Sequence, residues 1–589
     1  MLGMWNCGRQ RWSTMGWLAA PCVALLAISP GAAGRELPVR PPAPRNVIVI
    51  VLDDVGFSDI GAFGSEIRTP SIDALAADGL RYNRFDTKAV CSPTRAALLT
   101  GRNPQTVRMP DLPATVVDPD DLTSARGELP DNASTIAQVL HSAGYATYGF
   151  GKWHLAPEDQ DGSPGHNGSW PLQRGFDSFY GFFLGWTDQY HPRLIEGNAR
   201  IPAPETPGYH FSVDITDRAI AALDPAKGAP RKFVYLAYGA AHAPIQVPPA
   251  YINAYAGVYD RGWDALREER LAREKAMHIV PEQTVLSPRN PGDRAWDSLT
   301  PVEKQVFARF MQVYAGFITH TDEQIGRLIA YLKQTGQYED TLIVLLSDNG
   351  AASEAGQTGA FEHLYRPNQL TPEQMLARID ELGTDRTQSE YQRPWAMLGA
   401  TPFRRYKLWP NLGGVRTPLI LSWPDMIRDG GAIRHQYVDV VDVAPMLAEA
   451  AGTAFPAQVD GRPEIPIAGR SFLRSLADAH APETRTVQYF ELRGNRAITD
   501  GPWRAVAIHR QGTDFADDVW QLYDLDADPS ESRDVAAAHP EKLRALQALW
   551  WRQARRFSTP PLAEAPERFR GRERFDDSAN RPAPPQNEN

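Results

Sequence analysis

The sequence predicts an α/β fold with a smaller second domain, and three observations carry the prediction. Four short apolar runs, at residues 47–52, 146–150, 233–238 and 342–346, are rich in β-branched and aromatic residues, show no alternation and give way to polar residues. Helix-like stretches separate them, at 70–78, 135–143, 214–223 and 302–334. The chain is long, at 589 residues, and 42% hydrophobic against 22% charged, which allows a large core. Continuous apolar strands between helices are what a parallel sheet covered on both faces requires.

Taken in order, residues 1–33 carry Arg9 and Arg11, an apolar stretch over 17–28 and small residues up to Ala33, which predicts a secretory leader cut after Ala33. The stretch is too short for a membrane span and is broken by Pro21, so no stable membrane anchor is expected and the location is periplasmic or secreted. Of three cysteines, the cut removes Cys7 and Cys22 and leaves Cys91 alone in a compartment where disulfides form.

Residues 34–45 read as a Pro-rich linker, 46–455 as the main domain and 456–560 as a subdomain. Within the latter, alternating strands are expected at 486–492, 503–508 and 520–525, then a helix near 541–556. Residues 561–589, rich in Arg, Pro and Asn, read as a tail. The net charge of -10 comes from 61 basic against 71 acidic residues without long basic runs, which argues against nucleic acid or an anionic membrane surface as partner.

In open α/β sheets ligands bind beyond the carboxyl ends of the strands. There the first run ends in Asp53-Asp54, the second in Gly151-Lys152-Trp153-His154, the third is followed by His242 and the fourth by Asp348-Asn349. Two successive carboxylates point to opposite sides unless the strand has begun to turn, in which case both can grip one cation. With Asp348 and Asn349 they make an all-oxygen set suited to a hard divalent ion, Ca²⁺ in preference to Mg²⁺. Pro93 and Gly101 mark the start and end of a helix, which puts Cys91 at its N-terminus and Arg95 one turn on along the same face. Backbone N–H groups, the helix dipole and a guanidinium then meet at one place, as an anion requires.

Cys91-x-Pro93-x-Arg95, closed by Thr100-Gly101-Arg102, resembles the signature of the type I sulfatases, whose cysteine is oxidised to formylglycine by a separate enzyme. The resemblance runs from residue 47 to about 535 and takes in VIVLDDVGFSD, GKWH, His242 before Pro244, LLSDNG, TPFRRYKLWPNLGGVRTP at 401–418 and WQLYDLDADPSESRDV. The 401–418 stretch and the insertion before it look most like the bacterial arylsulfatases. Many members carry a polar residue where this chain has Leu412, a departure that bears on loop packing, since five residues still separate Lys407 from Gly413.

The resemblance implies an alkaline-phosphatase-like fold, a large, mostly parallel sheet flanked by helices with a C-terminal subdomain built on an antiparallel sheet. It implies a metal site of Asp53, Asp54, Asp348 and Asn349, completed by an oxygen of modified Cys91, with Arg95, Lys152, His154, His242 and Lys407 around the sulfate. It also implies maturation by a formylglycine-generating enzyme and a small-molecule sulfate ester as substrate, of the aryl or alkyl kind.

Such an ester repels nucleophiles, so the chemistry needs positive charge around it and a strong nucleophile in line. The aldehyde hydrate supplies the latter and has a second hydroxyl, deprotonated by His154, to drive release; His242 with Lys407 serves the leaving alcohol. Phosphonate monoester or phosphate diester hydrolysis and carbohydrate sulfate hydrolysis are the rival activities. An anion-binding scaffold without turnover would lack one of Cys91, His154, His242 or Lys407, and all four are present. Two aromatic-rich regions, 170–190 and 361–409, are candidates for a hydrophobic rim, with core packing the better account of most of their rings.

Overall fold

The computed structural model describes residues 42–113, 127–157, 168–226, 230–364, 368–559 and 561–564. The expected leader, most of the expected linker and nearly all of the expected tail lie outside the described residues. No helix among the described residues is long and apolar enough to cross a membrane.

The main sheet has ten strands: Asn46–Leu52 (β1), Leu80–Tyr82 (β2), Ala146–Lys152 (β3), Ser178–Phe182 (β4), Leu194–Glu196 (β5), Ala199–Ile201 (β6), Lys232–Ala237 (β7), Thr341–Ser347 (β8), Leu419–Ser422 (β9) and Ile433–Arg434 (β10). In space they run β10-β2-β9-β8-β1-β7-β3-β4-β5-β6. The four expected runs are β1, β3, β7 and β8, and with β4 they form the parallel centre, while β9 and β5 pair antiparallel beside it. Asn46 lies opposite both Lys232 and Thr341, and Leu52 opposite Ser347, so β1 and β8 release the chain at one level.

Strand alternation divides β1 between two cores. Ile48, Ile50 and Leu52 pack with Val313, Phe317 and Ile325 of the long helix, whereas Val47, Val49 and Val51 pack with the layer that contains Ala96, Leu98 and Leu99. The helices are Pro70–Asp78 (α1), Cys91–Thr100 (α2), Ile136–Ser142 (α3), Phe211–Ala222 (α4), Pro301–Gln334 (α5) and, in the subdomain, Pro540–Arg556 (α6), with shorter ones between. α5 starts where Thr300 and Glu303 cap each other reciprocally, and α2 ends at Gly101 with φ 67°. α4 begins three residues before the expected 214, because His210 caps it by accepting from the Ser212 amide.

The C-terminal sheet holds Val487–Leu492 (β11), Asn495–Asp500 (β12), Trp503–Ala507 (β13) and Trp520–Asp524 (β14), all antiparallel. β12 is absent from the sequence reading: its NRAITD segment has polar ends that look like a turn. Its Arg496 is nonetheless buried, with its guanidinium 5.2 Å from the Trp520 ring centroid and 5.9 Å from that of Trp550. One face of this sheet takes Leu546, Trp550 and Ala554 of α6; the other sends Phe490, Val506 and Tyr523 into the main core.

A buried ion pair ties the small sheet to the loop after residue 407. Arg504 donates to Glu531 Oε1 at 2.9 Å and also to the Pro410 carbonyl, while Glu531 Oε2 accepts from Asn411 Nδ2 and the Leu412 amide, both at 3.0 Å. Removing one partner of such a pair strands the other charge in the interior. Glu531→Ala is therefore expected to destabilise the fold by about 3 kcal/mol or more, measured as the shift in urea unfolding free energy. A change within about 0.5 kcal/mol, typical of surface substitutions, would show that the clamp is not needed.

Candidate active site

Four strand ends and one helix start meet at a single point. Asp54 has φ 60°, so the chain has already turned as it leaves β1, and Asp53 and Asp54 reach the same cluster. That settles the alternation question in favour of convergence. Asp348 leaves β8 beside them: its Oδ1 accepts from the Asp54 amide at 3.3 Å, and its Oδ2 accepts from Arg95 Nε at 2.9 Å and Nη2 at 2.7 Å. Asn349 Nδ2 donates to Asp54 Oδ1 at 2.6 Å.

Cys91 is the first residue of α2, with Val90 extended before it. Its Sγ and one oxygen each of Asp53 and Asp348 lie within 4.8 Å of one another. β3 brings the next two groups. Gly151 has φ 97°, and a Cβ there would sit 1.8 Å from the Ala237 carbonyl oxygen, so only glycine lets β3 lie this close to β7. Lys152 Nζ then reaches Asp53 Oδ2 at 2.7 Å. His154, at φ 55°, is held by its amide on the Phe183 carbonyl and places Nδ1 3.4 Å from Cys91 Sγ.

The remaining predicted residues come from further along the chain. His242 Nδ1 lies 2.6 Å from the Ala243 carbonyl, which can only accept, so this nitrogen carries the proton; Nε2 faces Asp54 Oδ2 at 3.6 Å. Lys407 Nζ donates to Asp54 Oδ2 at 2.9 Å and to Glu354 Oε2 at 2.7 Å. All ten residues singled out in the sequence thus lie in one buried cluster, each under 5% exposed. Arg95, expected beside the sulfate, directs its guanidinium to Asp348 and the Lys152 carbonyl within the same cluster.

Glu354 was not foreseen: one of its oxygens joins Asp54 and His242 within 4.8 Å. It stands in the segment AASEAGQTGA, where nothing separates it from the other acids of the insertion. Most rings of the two aromatic-rich regions are core, Trp170, Phe176, Phe179, Phe361, Trp395 and Tyr406 among them, while Trp186 and Tyr190 keep partial exposure.

Burial dominates the electrostatics. It raises the Asp53 carboxyl well above the usual range, and Asp348 adds to the rise. It opposes ionisation of Asp54 and Asp348 too, yet Lys407 holds the first and Arg95 the second below that range. The Cys91 thiol is pushed up to about 11 by burial. Burial, followed by Lys152 and Arg95, holds His154 well below the ordinary imidazole value.

Two oxygens of this cluster, Asp53 Oδ1 and Asn349 Oδ1, are buried without a hydrogen-bond partner. Orphaned oxygens beside two further carboxylates are the donor chemistry of a hard divalent cation, so the residues present fit a metal ion.

The comparisons with known proteins agree. The sulfatase family model matches residues 45–453, and a model described as N-sulphoglucosamine sulphohydrolase, C-terminal, matches 412–553. The chain belongs to the sulfatase family. As a member it is a sulfuric ester hydrolase. It is similar to an arylsulfatase of Klebsiella aerogenes, 32% identical over 81% of this chain and 99% of that one. An uncharacterised sulfatase of Schizosaccharomyces pombe is 31% identical over 86% of this chain and 92% of that one. Among solved structures, Ps i-CgsB in complex with k-i-k-neocarrahexaose shares the fold, with TM-score 0.62 at 22% identity over 91% of this chain and 99% of that one. Leu412 is buried, and beside it Gly350 passes so near Gly413 that a Cβ would lie 2.0 Å from the Gly413 oxygen.

Because a bound ion would stabilise only the folded cluster, added Ca²⁺ is expected to raise the melting temperature of chelator-treated protein as its concentration grows. The double variant Asp53→Asn/Asp348→Asn is expected to lose the shift. An equal shift in that variant would place the ion elsewhere.

Proposed function

We propose that this sulfatase cleaves sulfate monoesters of aryl or alkyl alcohols, with formylglycine formed from Cys91 as nucleophile and Ca²⁺ held by Asp53, Asp54, Asp348, Asn349 and the modified side chain. The observation that carries the reading is the meeting of Cys91 Sγ with oxygens of Asp53 and Asp348 within 4.8 Å, at a helix start facing His154. When bound, the ion supplies Lewis acidity and neutralises charge on the ester, with Mg²⁺ as the alternative ion. The aldehyde hydrate supplies two hydroxyls on one carbon, one to attack and one to expel the product.

The chain's own groups do the rest. Arg95 fixes the Asp348 carboxylate by two hydrogen bonds and so presets its other oxygen. Lys152, paired with Asp53, brings positive charge beside residue 91. His154 stays neutral and points a ring nitrogen at residue 91, where it can take a proton. His242 has its Nδ1 proton engaged by Ala243 and its Nε2 turned into the cluster, and it stands with Lys407 to serve the leaving oxygen.

The proposal extends to maturation by a formylglycine-generating enzyme and to a periplasmic or secreted location, on the strength of the expected cut after Ala33. It assigns 46–455 to the catalytic domain and 456–560 to the subdomain.

Two measurements test it. Mass spectrometry of the tryptic peptide 89–95 from the native host is expected to show aldehyde in place of thiol; a plain thiol in fully active protein would overturn the nucleophile. Cys91→Ala is expected to abolish turnover of 4-nitrophenyl sulfate, and His154→Ala to lower kcat by about 100-fold or more. Residual hydrolysis above about 1% in the cysteine variant would mean that another group attacks sulfur.

A further inference from the structure

The stretch between residues 350 and 407 brings two acids near Lys407, part-buried Glu354 and buried Glu390, and neither is among the residues proposed above to hold the metal. Glu354 Oε2 accepts from Lys407 Nζ at 2.7 Å, with the Glu354 side chain 10% and that of Lys407 2% exposed. Lys407 also donates to Asp54 Oδ2 at 2.9 Å, but Asp54 is a member of the proposed metal set and its charge is shared. Glu354 lies outside that set, although one of its oxygens falls within 4.8 Å of atoms of Asp54 and His242.

Glu390 lies behind this pair. It is 2% exposed, and neither of its oxygens has a hydrogen-bond partner. Its backbone exchanges two hydrogen bonds with Ala360, both 2.9 Å, which ties together the two arms of the insertion that deliver Glu354 and Glu390. Burial first, then the charge of Glu354, pushes the Glu390 carboxyl up to about 8, so Glu354 and Asp54 are the acids that pair with the lysine. Burial opposes ionisation of Glu354 as well, yet Lys407 outweighs it and keeps its carboxyl below the usual range.

We infer that Glu354 is a positioning residue, which fixes the Lys407 ammonium on the leaving-group side so that the enzyme cleaves alkyl sulfates as well as aryl sulfates. The inference rests on the sulfate-ester reading above and names the residue on which the alkyl half of that substrate range depends. When the ester S–O bond breaks, its electron pair stays on the departing oxygen. A nitrophenolate bears that charge unaided, whereas an alkoxide does not. The ammonium stabilises the oxygen through a hydrogen bond, and the proton that completes the alcohol comes from it; solvent water then reprotonates the lysine. A four-carbon stem with a mobile ammonium does this only if something holds it in line, and Glu354 is the acceptor placed to do so.

The test compares kcat/KM for 4-nitrophenyl sulfate and hexyl sulfate in the metal-loaded, formylglycine-bearing enzyme and in Glu354→Gln. The variant is expected to lose at least about 10-fold more on hexyl sulfate than on 4-nitrophenyl sulfate, with the loss in kcat. Glu354→Asp keeps the charge but shortens the reach; it is expected to fall between the two, and it supplies the same comparison if the glutamine variant does not fold. An equal loss on both esters would make Glu354 a structural residue and overturn the inference alone. Failure of the unaltered enzyme to cleave either ester would overturn the proposed function, and the inference with it.

Discussion

Three carboxylates sit side by side in a buried cluster, and most of the surrounding architecture answers that constraint. Asp53, Asp54 and Asp348 are fully buried, and like charges at such distances in a low dielectric repel strongly. Each is met by a cation from a different part of the chain: Lys152 from the end of β3, Lys407 from the 401–418 stretch and Arg95 from α2. The pairing explains why the site is assembled from segments more than three hundred residues apart. Two oxygens of the cluster, Asp53 Oδ1 and Asn349 Oδ1, have no hydrogen-bond partner, which suits the proposed divalent ion.

The parallel sheet supplies the geometry for this charge balance. Equal register between β1 and β8 brings Asp53 next to Asp348, and the left-handed turn at Asp54 brings the second carboxylate inward. The close pass of β3 against β7 at Gly151 carries Lys152 and His154 to the same rim. The subdomain then pins the loop after Lys407 through Arg504 and Glu531. Placement of that lysine thus depends on residues well outside the main sheet.

Much of this was legible in the sequence because it follows from local rules. The four central strands declared themselves as unbroken apolar runs, and a strand that must hide both faces has no other way to be written. The helix from Cys91 to Gly101 was readable from Pro93 and the terminal glycine. β12 was not, since its pairing on both sides and the stacking of Arg496 between tryptophans are tertiary events. Glu354 and Glu390 were equally hidden, because acids in a long insertion look like solvated loop residues until the fold buries them.

The sequence by itself determined the α/β class and which strand ends carry acids, amide, lysine and histidine, because strand periodicity and residue type are properties of short segments, while Lys407 was named by the family resemblance. Tertiary structure alone decided how those groups share charge. Arg95 turned out to serve Asp348, Lys407 bridges Asp54 and Glu354, and His242 has one nitrogen taken by Ala243. Which oxygen faces which cation depends on distances of a few ångströms between segments far apart in the chain, and no local pattern encodes them.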